Sequence, residues 1–182
     1  MRIISGSLKG RRINPPGNLP VRPTTDVAKE AIFNSLYSRI DFEDRNVLDL
    51  FSGTGNISLE FASRGAATVT AVDSNPNCIQ FLSKVSKELQ LENIRSIRMD
   101  ALKFLFKASG KYDIIFADPP YDFDRYDKIP QLVFEKQLLE PEGYLIIEHS
   151  SDTSYQEHEK LIDRRKYGKV NFSIFQQKQG EQ

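Results

Sequence analysis

The chain carries Asp118-Pro119-Pro120-Tyr121 directly after the apolar run Tyr112-Asp113-Ile114-Ile115-Phe116-Ala117. That run reads as a buried strand, so its C-terminal end delivers a carboxylate, two rigid prolines and an aromatic ring to one place. The set suits a planar group bearing an exocyclic amine. The Asp118 carboxylate and the Pro119 carbonyl accept N–H hydrogen bonds, and Tyr121 offers a face for stacking. Asp and Pro also favour turns for their own sake, so this run alone leaves an ordinary strand-ending turn open.

A second cluster lies upstream, in the stretch from Val47 to Glu60: a short apolar strand, the turn Phe51-Ser52-Gly53-Thr54-Gly55, and an amphipathic helix. Gly53 and Gly55 allow the backbone to approach a ligand and to adopt φ > 0, and the amides of a helix N-terminus favour anionic groups. A dinucleotide fingerprint requires a third glycine where this chain has Ser58, which weakens a dehydrogenase reading. The strand Thr68–Val72 ends in Asp73, twenty positions after Gly53, about where a nucleotide-binding unit places its ribose acid. Asn75 and Pro76 supply the cap and first position of the next helix, leaving Asp73 at the strand tip for a ligand. Asp100 follows the strand Ile94–Met99 and caps the helix beginning at Ala101, a role compatible with ligand binding. Asp49, Asp73, Asp100 and Asp118 thus each close a predicted parallel strand. Open α/β sheets bind ligands beyond those strand ends.

These motifs resemble the class I S-adenosylmethionine-dependent methyltransferases: Asp49-Leu50-Phe51-Ser52-Gly53-Thr54-Gly55, Ala71-Val72-Asp73, Arg98-Met99-Asp100-Ala101 and Asp118-Pro119-Pro120-Tyr121. The last is similar to the signature of enzymes that methylate amino nitrogens. The N-terminal runs Arg2-Ile3-Ile4-Ser5-Gly6, Lys9-Gly10-Arg11-Arg12, Val21-Arg22-Pro23-Thr24-Thr25-Asp26 and Ala31-Ile32-Phe33-Asn34-Ser35-Leu36 are similar to the RsmD family. That resemblance covers nearly the whole chain and weakens after Glu148. It implies a bacterial enzyme that methylates N2 of a guanine in 16S ribosomal RNA within the small subunit. It also implies site roles. Asp73 would bind the cofactor ribose, Asp100 and the Ala101 amide its adenine, and Asp49, Gly53 and Gly55 its methionine end, with Asp118 between cofactor and amine. Asp118, Pro119 and Tyr121 would hold the target base. Arg2, Lys9, Arg11, Arg12, Arg22, Thr24 and Tyr121 would contact RNA. The sequence departs from the family pattern at Asn56-Ile57-Ser58, where small or apolar residues usually follow the glycines. Two other classes share the motifs: an amino-methyltransferase acting on adenine N6 or a protein glutamine, and a non-catalytic ribosome-assembly factor with this fold.

Composition is compatible with an RNA partner only through its distribution. The 25 basic and 25 acidic residues cancel, yet residues 1–24 contain Arg2, Lys9, Arg11, Arg12 and Arg22 and no acid. A basic segment on a balanced body is an electrostatic footprint for phosphate. Ile3, Ile4, Leu8 and Ile13 suggest that this segment forms a hairpin-like arm. With Cys78 the sole cysteine and only His149 and His158, no disulfide framework or metal pattern is expected. There is no apolar run of the roughly 18 residues a membrane span needs, and a monomer in the reducing cytoplasm is expected.

The elements that must position these residues follow from alternation. After the arm, a helix over Thr25–Ser38 is expected with Val27, Ala31 and Leu36 inward, then strands near 46–50, 68–72, 94–98, 112–117 and 143–148. Helices near 56–64, 76–90, 101–108 and 127–138 separate them, and two last strands lie within Lys160–Lys178. The stripe Ile79, Leu82, Val85, Leu89 has helical spacing and reads as core. A βαβα order implies a Rossmann-like, doubly wound, mainly parallel seven-stranded sheet with helices on both faces. The expected division is an RNA-binding arm over 1–24 and a methyltransferase domain over 25–182.

Overall fold

The computed structural model describes residues 1–17, 19 and 26–178. In chain order they form α1 (Asp26–Tyr37), β1 (Asn46–Leu50), α2 (Asn56–Ser63), β2 (Thr68–Asp73), α3 (Pro76–Glu88) and β3 (Ile94–Arg98). There follow α4 (Ala101–Lys107), β4 (Tyr112–Ala117), α5 (Lys128–Glu135), β5 (Leu139–His149), β6 (Leu161–Tyr167) and β7 (Val170–Gln176). The seven strands make one sheet in the order β3-β2-β1-β4-β5-β7-β6. β1 to β5 run parallel, and β7 runs antiparallel to both β5 and β6.

Successive side chains of a strand point to opposite faces, and this sorts the core. Leu48 and Leu50 of β1, with Ile115 and Ala117 of β4, meet Leu102 and Leu105 of α4 and Ile129 and Val133 of α5. Val47, Ile114 and Phe116 face the other way, against Ile32, Phe33 and Leu36 of α1 and Ile57 and Phe61 of α2. Each fully buried large apolar side chain contributes about 1.5–3 kcal/mol, so the two layers fix the sheet from both sides. Asp49 shares the face of Val47, which points it at α2.

Val27 corrects the sequence reading: it is 77% exposed, and the buried face of α1 is Ala28, Lys29, Ile32, Phe33 and Leu36. A helix stripe i, i+4 starting one position later fits these residues, and a lysine on it disguised the pattern. β5 also begins at Leu139 rather than near 143, across a register irregularity with β4 that accommodates Pro141 and the positive φ (64°) of Glu142. Arg164, Arg165 and Lys166 lie exposed on the edge strand β6, where charge discourages pairing with another chain.

The order of strands reverses between β1 and β4. From β1 the chain moves outward through α2 to β2, whereas β4 lies on the opposite side of β1. Leu50 pairs with Ala117 there, so the glycine-rich turn and the Asp118 run emerge side by side. A crevice at such a reversal is where open α/β sheets hold ligands.

Candidate active site

The turn after β1 is built from unusual backbone. Phe51 (φ 59°), Gly53 (φ 52°) and Gly55 (φ 82°) all lie in the left-handed region, which costs a non-glycine residue such as Phe51 about 1–2 kcal/mol. Gly55 is required twice over, because a Cβ there would sit 2.3 Å from Leu82 Cδ1. α2 starts at the next residue with no side chain capping its first amides. The Asp73 carboxylate holds this turn in place, accepting from Gly53 N (2.8 Å) with one oxygen and from Asn75 N (2.7 Å) with the other. Asp73 is therefore engaged rather than free at its strand tip. Each of its oxygens keeps a second lone-pair direction for a hydroxyl donor.

Asp49 lies beneath the same turn, 1% exposed, and accepts from the Ser58 hydroxyl. Burial pushes its carboxyl up to about 7, nearby Asp118 and Asp73 add to the rise, and the Ser58 bond opposes it. A positive group brought to this end of the crevice would favour its ionised form. Asp100 caps α4 through its bond from Lys103 N (2.9 Å), and Ala101, the first residue of that helix, is buried beside it.

Across the crevice, Pro119 is buried and Tyr121 is 54% exposed. Aromatic side chains brace the loop that carries them. Phe123 makes edge contacts with Phe51 (5.1 Å between centroids) and Tyr126 (5.4 Å), tying this loop to the glycine-rich turn. The Tyr126 hydroxyl donates to Pro120 O (3.4 Å), Tyr155 donates to Tyr126 O (3.0 Å), and Phe123 N donates to Pro120 O (2.9 Å). Burial, reinforced by the Asp118 charge, pushes the Tyr126 hydroxyl up to about 12, so it stays a donor throughout the working pH range.

The N-terminal segment packs onto this machinery. One bridge, Arg2 with Arg12, joins its two limbs, supported by Ile3 N to Arg11 O (3.0 Å) and Gly10 N to Ile3 O (2.8 Å). Ile3 and Ile13 are buried against Leu59, Leu82 and Val85. Gly6 lies so close to α2 that a Cβ would fall 1.8 Å from Ser63 O. The strongest attachment is ionic: Glu60, fully buried, accepts from Ile4 N (2.8 Å) and Ser5 N (3.0 Å) and pairs with Lys29 Nζ (3.2 Å) and Arg64 Nε (2.8 Å). Lys29 Nζ donates in turn to Arg2 O (2.6 Å) and Asn56 Oδ1 (2.9 Å). Burial pulls the Lys29 ammonium below its usual value, and Glu60 counters that pull. The arm therefore reaches the first residue of α2, next to Gly55. Arg2 also lies 3.6 Å from Asp26, while Lys9, Arg11 and Arg12 are exposed.

The family model described as "Conserved hypothetical protein 95" matches residues 1–176. The chain belongs to this family, RsmD. Among curated relatives, Ribosomal RNA small subunit methyltransferase D of Buchnera aphidicola (Acyrthosiphon pisum) is 36% identical, over 84% of this chain and 79% of its own. The protein of that same name from Escherichia coli K12 is 30% identical, over 100% of this chain and 92% of its own. The solved structure of yhhF from Escherichia coli superposes with a TM-score of 0.84, at 29% identity and with 98% of each chain covered. The fold is that of the class I methyltransferases.

Within this RsmD-family chain, β1 to β4 run parallel side by side, which brings the segments carrying Gly53, Gly55, Asp73, Asp100, Ala101, Asp118, Pro119 and Tyr121 to the same end of the sheet, with Asp49 buried in β1. Arg22 and Thr24 lie outside the described residues. The departure at Asn56-Ile57-Ser58 has a physical basis, because Asn56 accepts from Lys29 and Ser58 donates to Asp49. Sequence reasoning missed Lys29 and Glu60. The available signal was the lone charge in Ile57-Ser58-Leu59-Glu60-Phe61-Ala62, four residues before Arg64.

Asp73→Ala is expected to weaken binding of S-adenosylmethionine and S-adenosylhomocysteine by roughly 1.5–3 kcal/mol, the range for charge-assisted hydrogen bonds. The Gly53 amide also loses its acceptor, so the effect belongs at the upper end. Calorimetry giving unchanged affinity for both ligands would remove Asp73 from the cofactor site.

Proposed function

We propose that this chain transfers a methyl group from S-adenosylmethionine to the exocyclic N2 amine of a guanine in 16S ribosomal RNA of the small ribosomal subunit. The observation that carries the reading is the Asp118-Pro119-Pro120-Tyr121 run, held by a braced loop beside the glycine-rich turn at the strand-order reversal. The relatives' shared name, Ribosomal RNA small subunit methyltransferase D, supports the ribosomal RNA substrate.

The residues present fit the cofactor. Asp73 keeps acceptor capacity beside the glycine-rich turn, and a positive group would favour the ionised form of Asp49, whose carboxyl burial raises. Asp73 would take the ribose hydroxyls, Asp100 and the Ala101 amide the adenine edge, and Asp49 with Gly53 and Gly55 the methionine end. When bound, S-adenosylmethionine supplies an electrophilic methyl on a sulfonium.

The chain's own residues do the rest. A target guanine leaves its stack at a cost of about a few kcal/mol, and Tyr121 takes the exposed face of its ring. Asp118 and the Pro119 carbonyl accept hydrogen bonds from the two N2 hydrogens. This holds the nitrogen lone pair, otherwise delocalised into the purine, out of the ring plane. Orientation of that kind is worth up to roughly 7–11 kcal/mol. As the nitrogen gains positive charge, Asp118 stabilises it and accepts a proton. The arm over residues 1–24 serves the RNA through Arg2, Lys9, Arg11, Arg12, Arg22 and Thr24, with the domain over 25–182 carrying the chemistry.

Small-subunit RNA from cells lacking the gene is expected to be missing one N2-methylguanosine, as read by nucleoside mass spectrometry. An unchanged set of methylated nucleosides would refute the reading. The arm has its own test. Lys9, Arg11 and Arg12 changed together to Glu should leave cofactor affinity intact and reduce the slope of log RNA affinity against log salt by about 2–3 units. An unchanged slope would mean that RNA docks elsewhere.

A further inference from the structure

Phe106 is 67% exposed near the C-terminal end of α4. Lys103, Phe106 and Lys107 occupy one face of that helix, by their i, i+3, i+4 spacing, while Leu102 and Leu105 are buried in the core. Two further cations arrive from other elements. The Lys136 ammonium, just past α5, lies 5.5 Å from the centre of the Phe106 ring. Arg125, from the loop after Tyr121, shares with Lys103, Phe106 and Lys107 a cavity of about 510 Å³ that Asp100, Leu102 and Leu132 also line.

One acid lines the cavity, Asp100, and its carboxylate accepts from Lys103 N (2.9 Å). Arg125 Nε lies 3.6 Å from Asp124 on an exposed loop, and Glu135 already accepts from Gln131 Nε2 (2.8 Å). Among the described residues, Lys103, Lys107 and Lys136 form no ion pair. A solvated helix face needs no exposed aromatic ring. Protein–protein interface cores are depleted in lysine, whereas an aromatic ring set among cations is how single-stranded nucleic acid is held, by base stacking and phosphate pairing.

We propose that Phe106, with Lys103, Lys107 and Lys136, forms a second RNA contact that takes an unpaired nucleotide of the strand flanking the target base. This deepens the proposed function and rests on its RNA substrate. The patch adjoins the proposed cofactor residues, since Asp100 lines its cavity and Arg125 lies four residues beyond Tyr121. It lies on the α4–α5 side of the sheet, whereas the arm packs with α2 and α3 on the other. RNA gripped at both places would span the crevice mouth.

The test uses the full chain and a fluorescent single-stranded RNA oligonucleotide, followed by anisotropy, with S-adenosylhomocysteine calorimetry as a check on the fold and cofactor site. Phe106→Ala is expected to weaken RNA binding about 5- to 150-fold, the range for loss of one base–aromatic stack. Phe106→Trp should restore it, and Phe106→Leu should not. Lys103→Gln, Lys107→Gln and Lys136→Gln combined should reduce the salt slope by about 2, at roughly 0.7 per phosphate on a single strand. Cofactor affinity should not move in any variant. Wild-type binding that survives in both Phe106→Ala and the triple variant overturns the patch alone, and full binding by Phe106→Leu overturns stacking in favour of a simple apolar contact. Failure of the wild type to bind either the oligonucleotide or small subunits overturns the RNA substrate itself, and the patch with it.

Discussion

Asp118→Ala is expected to abolish methyl transfer while changing cofactor affinity only modestly, because the main partner proposed for this carboxylate is the substrate amine. Its backbone is anchored by the bond from its amide to Leu50 O (3.4 Å), which the alanine variant keeps. Asp118→Asn is the sharper companion: it keeps an acceptor oxygen and the shape but loses the charge that would stabilise a cationic nitrogen. Single-turnover rates under saturating RNA and cofactor separate the two contributions. An alanine variant retaining more than about a tenth of the wild-type rate has lost under 1.4 kcal/mol of transition-state stabilisation, and Asp118 would not then be the amine clamp.

The second large effect is on stability. Glu60→Ala leaves Lys29, fully buried, without its counter-charge, and takes the acceptors from Ile4 N and Ser5 N together. Removing one partner of a buried ion pair costs about 3–5 kcal/mol. For a chain of this size that corresponds to a fall in Tm of very roughly 6–20 °C. Lys29→Met combined with Glu60→Leu should recover part of the loss, since no lysine is then stranded, although Arg64 keeps the recovery incomplete. A Glu60→Ala protein melting within about 2 °C of the wild type would show that the arm is held by its apolar contacts alone.

How far the sequence speaks depends on the range of the interaction. The bounds of β4 follow from a short apolar run ended by Asp118, a local signal that tertiary packing only reinforces. Asn75 caps α3 through bonds from Asn77 N (2.9 Å) and Cys78 N (3.4 Å), again as the local chemistry dictates. The acids at the strand ends were legible for the same reason. Legibility fails where the partner is distant in sequence. Lys29 and Glu60 lie on different helices, and nothing local distinguishes a buried lysine from a solvated one. The same gap turned the inward face of α1 by one position at Val27. Asp73 was legible as an acid at a strand tip, but its bond from Gly53 N joins two loops twenty residues apart and emerges only from the fold.

The central claim, that a guanine amine is the methyl acceptor, is tested most directly by reconstitution. Purified protein is supplied with isotopically labelled S-adenosylmethionine and small ribosomal subunits from cells lacking its gene, and the recovered RNA is digested to nucleosides. Label is expected in N2-methylguanosine and in no other nucleoside, with none when Asp118→Ala replaces the wild type. Label in N6-methyladenosine, or transfer that persists in the Asp118 variant, would contradict it.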